Sequence, residues 1–391
     1  MIYLDNAATT RIDNEVLGVM QPFLTDFYGN SGSLHLRGRE AFRALQKARE
    51  RVADFINASP DQIIFTSGGS ESNSMVIHDA SLHPYKSRIV TSEAEHDSIL
   101  KATKFAVAYG ENIRACMIPV LPSGIVDLDS FESMLHNKQF PSTIALVSFM
   151  HTNNELGSVN PIEEIGELCS EFNIPFHTDC VQAAGYSEID VKKFKCDFLS
   201  LSSHKIHGPK GVGALFVGYP KTFHPLIHGG NNQEFGLRGG TENIAGIVGF
   251  GLACERAKYG MENNNVIIKA CVDTFISTLL SELDRLNIRD CLHFNVSDAG
   301  RKILNLRFDG VMAETLIMML DSQGVCVSAG SACNASSGEP SHVLKAIGLT
   351  DEEAKSSIRV SFSKNNTIEE CKTAAEIIAS CVYNCIEYLP Y

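Results

Sequence analysis

Between Phe172 and Val217 the chain reads FNIPFHTDCVQAAGY, a polar interval, and then DFLSLSSHKIHGPKGVGALFV. Two apolar runs in this stretch, Ile174 to His177 and Phe198 to Leu201, have the length of buried strands, and both end abruptly in polar groups. That pattern restricts the fold, because an open parallel sheet binds its ligands beyond the carboxyl ends of its strands. Asp179 after the first strand and Ser202, Ser203, His204 and Lys205 after the second would then face one site. A lysine can form a Schiff base with an aldehyde, and a carboxylate can keep a pyridine nitrogen protonated so that the ring takes up electrons from a carbanion. The cofactor that suits this pair is pyridoxal 5′-phosphate.

The same alternation runs through the first two thirds of the chain. Strands are expected at Ile2 to Leu4, Ile63 to Thr66, Arg88 to Thr91 and Thr143 to Phe149. Phe42, Leu45, Ala48, Val52, Phe55 and Ile56 recur every three or four residues and predict one buried face on a helix from about Gly38 to Ile56. Asp13 or Asn14 offers a cap to the first helix. Strand and helix in alternation imply an α/β fold with a mainly parallel sheet covered on both faces. Ser67-Gly68-Gly69-Ser70 follows one such strand and opens a helix, so its free N–H groups converge where a single phosphate fits.

From about Glu255 the organisation changes. A long helical segment including Val266 to Leu286 precedes shorter strands and helices, which divides the chain into a large domain, 14–255, and a smaller α+β domain, 1–13 with 256–391. Thr350 to Glu353 and Thr367 to Glu370 are capping boxes, and between them Ile358 to Phe362 alternates as a strand carrying Arg359.

Composition removes several classes of function. The 33 Lys and Arg residues stand against 46 Asp and Glu, a formal charge of −13, so no direct grip on nucleic acid is expected and a basic protein partner fits better. No apolar run approaches the ~20 residues of a membrane span, and MIYLDNAATT lacks the features of a signal peptide, so a cytoplasmic location is expected. The 12 cysteines are scattered without a CxxC, which favours reduced, mostly buried thiols over disulfides or metal. Cys333 is the exception. It lies in SACNASSGE, small polar residues with little to pack against, between a strand at Val325 to Val327 and a helix opening at Pro340. A thiol placed there suggests a reactive role.

Asp179-Cys-Val-Gln182, Ser202-Ser203-His204-Lys205 with the following GPKGVGALFV, and SAGSACNASSGEPSHVLKAIGL at 328 to 349 resemble the class V aminotransferase family and, in the last segment, its cysteine desulfurase branch. The resemblance extends from Tyr3 to about Thr367. It implies a type I pyridoxal-phosphate fold with a seven-stranded sheet, and a homodimer with shared active sites. By that resemblance Lys205 carries the cofactor, Asp179 holds its ring nitrogen, and Gln182 and Asn154 bond its phenolic oxygen. His96 stacks on the ring and moves protons, while Gly69, Ser70, Ser202, His204 and the neighbouring subunit's Thr241 hold the phosphate. Arg359, with Asn154, takes the carboxylate of L-cysteine, and Cys333 attacks the substrate sulfur and passes it to a protein acceptor. Selenocysteine lyase, or another enzyme of the family, is the alternative. Ser31, Gly32 and Ser363 depart from the family pattern, which has proline, serine and glycine there.

Overall fold

The computed structural model describes residues 1–110, 112–137, 140–230, 233–296, 302–330 and 339–388. Its strands are β1 (Ile2–Tyr3), β2 (Ile63–Thr66), β3 (Arg88–Ser92), β4 (Arg114–Ile118), β5 (Ile144–Ser148), β6 (Phe176–Asp179), β7 (Phe198–Ser202), β8 (Gly213–Val217), β9 (Leu292–Phe294), β10 (Ile303–Phe308), β11 (Val325–Cys326) and β12 (Ser357–Ser361). The helices are α1 (Asn14–Thr25), α2 (Leu36–Phe55), α3 (Gly69–Ser81), α4 (Asp97–Tyr109), α5 (Leu128–His136), α6 (Ile162–Glu171), α7 (Ile244–Arg285), α8 (Ala313–Ser322), α9 (His342–Ala346), α10 (Asp351–Lys355) and α11 (Ile368–Tyr388).

Seven strands form one sheet in the order β2-β8-β7-β6-β5-β3-β4, parallel except that β8 runs antiparallel to both neighbours. Side chains alternate between its faces, so Ile63, Phe65, Val90 and Val147 join one apolar cluster while Ile64, Ile89 and Leu146 join another. Both faces are therefore covered, as the near-continuous apolar runs require. The polar residues inside β6 are satisfied locally. His177 places Nδ1 2.8 Å from Ser148 Oγ and Nε2 3.0 Å from Ser200 Oγ, tying the three central strands together. Burial drives its pKa down to about 4, so the ring is neutral. These bonds explain why the strand runs on through His177 to Asp179 rather than stopping at His177, as the apolar pattern alone suggested.

A third apolar cluster lies at the C-terminal end of the chain. The antiparallel sheet β12-β10-β9 and the parallel pair β1-β11 pack there with the second half of α7 and with α11. The helix expected over Val266 to Leu286 is the second half of one unbroken 42-residue helix, whose first half packs on α1 and α2. Gly251 allows that approach, since a Cβ on it would lie 2.8 Å from Ala48 Cα.

Other expectations need correction. Phe42 is 48% exposed, and Ala41 is the buried residue beside it on the α2 face that carries Leu45, Ala48 and Val52. Asp13 occupies the N-cap of α1 without capping it; its carboxylate accepts from Lys364 at 2.7 Å and pairs with Arg256. All five residues of β12 are buried, so that strand does not alternate between core and solvent. Both capping boxes are present, at Thr350–Glu353 and Thr367–Glu370. The 11 described cysteines are free thiols, eight of them buried.

Candidate active site

The carboxyl ends of β2, β3, β5, β6 and β7 lie along one edge of the large sheet. Asp179 is the last residue of β6. Its Oδ2 accepts from Asn73 Nδ2 at 2.7 Å and its Oδ1 from the Val181 amide at 2.9 Å, so an N–H donor holds each of its oxygens in place. Lys205 closes a short 3-10 turn after β7, and its Nζ donates to Ala7 O at 2.5 Å and Ala8 O at 2.8 Å. These carbonyls belong to the polar loop after β1, which brings the amino terminus into the site.

His96 is the N-cap of α4, and its Nδ1 accepts from the Ser98 amide at 3.1 Å. Nδ1 is therefore unprotonated and the neutral ring carries its proton on Nε2. Burial lowers its pKa; the charge of Asp179 opposes that shift and the charge of Lys205 adds to it. His204 is pushed down to about 4 by burial and by Lys205 and Lys210, and its Nδ1 lies 3.0 Å from Thr9 Oγ1. Beside it, α3 begins at Gly69 after Gly68 at φ 153°, a region that favours glycine. A Cβ on Gly69 would lie 2.7 Å from Val181 Cγ2. The helix N-terminus is thus kept open beside Ser70, Ser202 and His204.

Gly69, Ser70, His96, Asn154, Asp179, Gln182, Ser202, His204, Lys205 and Arg359 all line one cavity of about 220 Å³. Thr241 is exposed and lies outside that lining. Cys333 falls outside the described residues. Gln182 donates from Nε2 to Ala7 O at 2.8 Å, while its Oε1, Asn154 Oδ1 and Asn73 Oδ1 are buried without a hydrogen-bond partner among the described residues. Each such atom costs on the order of 1–3 kcal/mol, a cost that a polar ligand in the cavity would relieve. Pyridoxal phosphate fits this donor set: a carboxylate for a protonated nitrogen, an amine for an aldehyde, and N–H groups and hydroxyls gathered at one end for a phosphate.

Arg359 reaches the cavity from β12 and is 2% exposed, not a surface residue. Its Nη2 donates to Asp5 Oδ1 at 2.8 Å and its Nη1 to Asn154 O at 3.0 Å, whereas Nε has no partner among the described residues. Such a planar fork is suited to a carboxylate. The described residues flanking 331–338 meet at Glu155. Its Oε2 accepts from Ser341 Oγ at 2.6 Å, and a Cβ on Gly330 would lie 3.0 Å from the same oxygen. Burial raises the Glu155 pKa, against Ser341, His342 and Arg359. The three departures from the family pattern are accommodated: Ser31 Oγ donates to Glu242 Oε2 at 2.8 Å, Gly32 N to Asn30 Oδ1 at 2.8 Å, and Ser363 N to Asn366 Oδ1 at 2.9 Å.

Sequence reasoning did not find Asn73, Asp5 or Glu155. Asn73 had a signal, a polar residue one turn into a helix that otherwise buries Met75, Val76 and Ile77. Asp5 meets Arg359 across 354 residues and Glu155 meets Ser341 across 186, and no local spacing marks them.

Residues 2–373 match the family model described as aminotransferase class-V. Cysteine desulfurase IscS of Dictyoglomus turgidum is 39% identical over 394 residues, covering 100% of this chain and 96% of that one. A solved structure of a NIFS-like protein superposes with a TM-score of 0.86 at 33% identity, over 97% of this chain and 98% of its own. SspA in complex with cysteine superposes at 0.77 and 34% identity, over 93% and 99%.

Proposed function

Since the chain belongs to the class-V aminotransferase family, and its fold is the type I fold of pyridoxal-phosphate enzymes, we propose that it is a cysteine desulfurase. It converts L-cysteine to L-alanine and leaves the sulfur as a persulfide on Cys333. The observation that carries this reading is the convergence of Asp179, Lys205 and Arg359, from three separate segments, on one cavity. The similarity to the IscS relative and to SspA in complex with cysteine supports the substrate.

Pyridoxal phosphate, when bound, supplies an electron sink for a carbanion at the substrate Cα. Lys205 would hold its aldehyde carbon and move a proton, and Asp179, held in place by Asn73 and Val181, would keep its ring nitrogen protonated. Gln182 and Asn154 would bond its phenolic oxygen and the neutral His96 would lie against its ring. Gly69, Ser70, Ser202 and His204 would hold its phosphate with Thr241 of the partner subunit. Arg359 orients the substrate carboxylate. The substrate C–S bond breaks as the Cys333 thiolate forms a new S–S bond, so one cysteine and one thiol give one alanine and one persulfide. The reading includes a homodimer, the division into domains 14–255 and 1–13 with 256–391, and transfer of the sulfur to a protein acceptor whose basic surface complements a chain of charge −13. Among the described residues, no helix is long and apolar enough to cross a membrane.

The test adds pyridoxal phosphate to the purified protein, follows its absorbance, and then assays alanine and sulfide from L-cysteine under reducing conditions. Spectral change with alanine formation supports the reading. Failure to bind the cofactor removes it.

A further inference from the structure

A second cavity, of about 250 Å³, adjoins the first, and Thr152 and Gln182 line both. It lies where the loops after β5 and β6 meet α7 and the start of β10. Its walls are mixed, with Val159, Ile268 and Ile303 on the apolar side and the Ser187 and Thr152 hydroxyls on the other. Lys302 lines it while remaining only 9% exposed. The Lys302 ammonium lies 3.5 Å from the centroid of the Tyr186 ring and makes no hydrogen bond or ion pair with any described residue. Lys269 is the other cation there, but it is 69% exposed and paired with Asp273.

A buried lysine without a counter-ion is costly. Effective penalties run to several kcal/mol per ion, whereas a cation–π contact returns about 2 kcal/mol at best. Burial and the nearby Lys205 push the Lys302 pKa well below its ordinary value, the electrostatic sign of the same deficit. Nothing in the proposed chemistry uses this amine. An anion in the cavity would complete it, and the apolar wall and single buried cation favour one negative charge on a short carbon chain over a dianion. The volume equals that of about eight liquid waters, room for a carboxylate of roughly three or four carbons.

We propose that this cavity is a second binding site, for a small aliphatic carboxylate whose charge pairs with Lys302 and whose chain packs on Val159, Ile268 and Ile303. The site is distinct from the one assigned to L-cysteine, and the proposal does not depend on that assignment.

The test titrates the cofactor-loaded protein with carboxyl-labelled propionate, followed by carbon-13 NMR, in wild type, Lys302→Met and Arg359→Gln. Saturable binding is expected in wild type and in Arg359→Gln, weakened about tenfold or more in Lys302→Met. Lys302→Met removes a buried charge and should melt no lower than wild type; Lys302→Gln serves if it does not fold. Absence of saturable binding overturns the proposal, as does binding lost in Arg359→Gln and kept in Lys302→Met, which would put propionate in the first cavity. Inorganic phosphate binding more tightly than propionate would overturn the assigned class of ligand.

Discussion

The two adjoining cavities share a wall and are built in opposite ways. In the first, every charge named above is held before any ligand arrives: Asp179 by Asn73 and Val181, Arg359 by Asp5 and the Asn154 carbonyl, Lys205 by the Ala7 and Ala8 carbonyls. In the second, Lys302 has, among the described residues, only an aromatic face. Fixed dipoles and charges stabilise developing charge without reorganising, which is what a catalytic pocket needs. A lone buried cation instead gains most when a counter-ion binds. The difference separates a pocket organised for chemistry from one completed by its ligand.

Removing the amine of the first cavity gives the largest effect. Lys205→Ala should lower alanine formation on the order of 10⁴-fold, and a loss smaller than about tenfold would move the reaction out of this cavity. Glu95 comes next. Burial pushes its carboxyl up to about 8, while its Oε1 accepts from the Met150 amide and from Ser92 Oγ. The folded protein therefore retains a proton that the unfolded chain releases near its ordinary pKa of about 4.3. That contribution to stability is complete below the unfolded value and lost as the pH rises through about 8. Glu95→Gln should flatten the fall in stability across this window by a few kcal/mol, as measured by denaturant midpoints along it.

Arg359→Gln should raise KM for L-cysteine about 100-fold, with a smaller change in kcat. An unchanged KM would mean that the guanidinium stays with Asp5 and the Asn154 carbonyl, which already hold it, and does not take the substrate carboxylate. The smallest effect belongs to Asn73→Ala, which removes one of the two donors to Asp179. A decrease in kcat of about tenfold is expected, with Asn73→Asp worse than alanine because it sets a second carboxylate against the first.

The cofactor side of the first cavity was legible because its residues sit at strand ends within short segments, such as Ser202 to Lys205, where an apolar run stopping at polar groups marks the edge of a sheet. The two-faced sheet was legible for the same reason. What escaped depends on distance in the chain. Asp5 meets Arg359 across 354 residues, and Lys302, just before β10, meets Tyr186 in the loop after β6. The long α7 was read only in its second half because its first half is rich in glycine and alanine, which carry little periodic signal but permit close packing on α2. Strand β12 read as half-exposed because Ser357, Arg359 and Ser361 are polar, although each is buried and bonded.

The most direct test of the central claim is the mass of the Cys333-containing peptide after the cofactor-loaded protein receives one equivalent of L-cysteine without reductant. Other thiols are poor competitors, since burial pushes the pKa values of Cys180 and Cys254 well up and keeps them protonated. The account predicts one added sulfur on that peptide alone, matched by one alanine released. Alanine formed with the sulfur on a different cysteine, or with no sulfur retained on the protein, would contradict it.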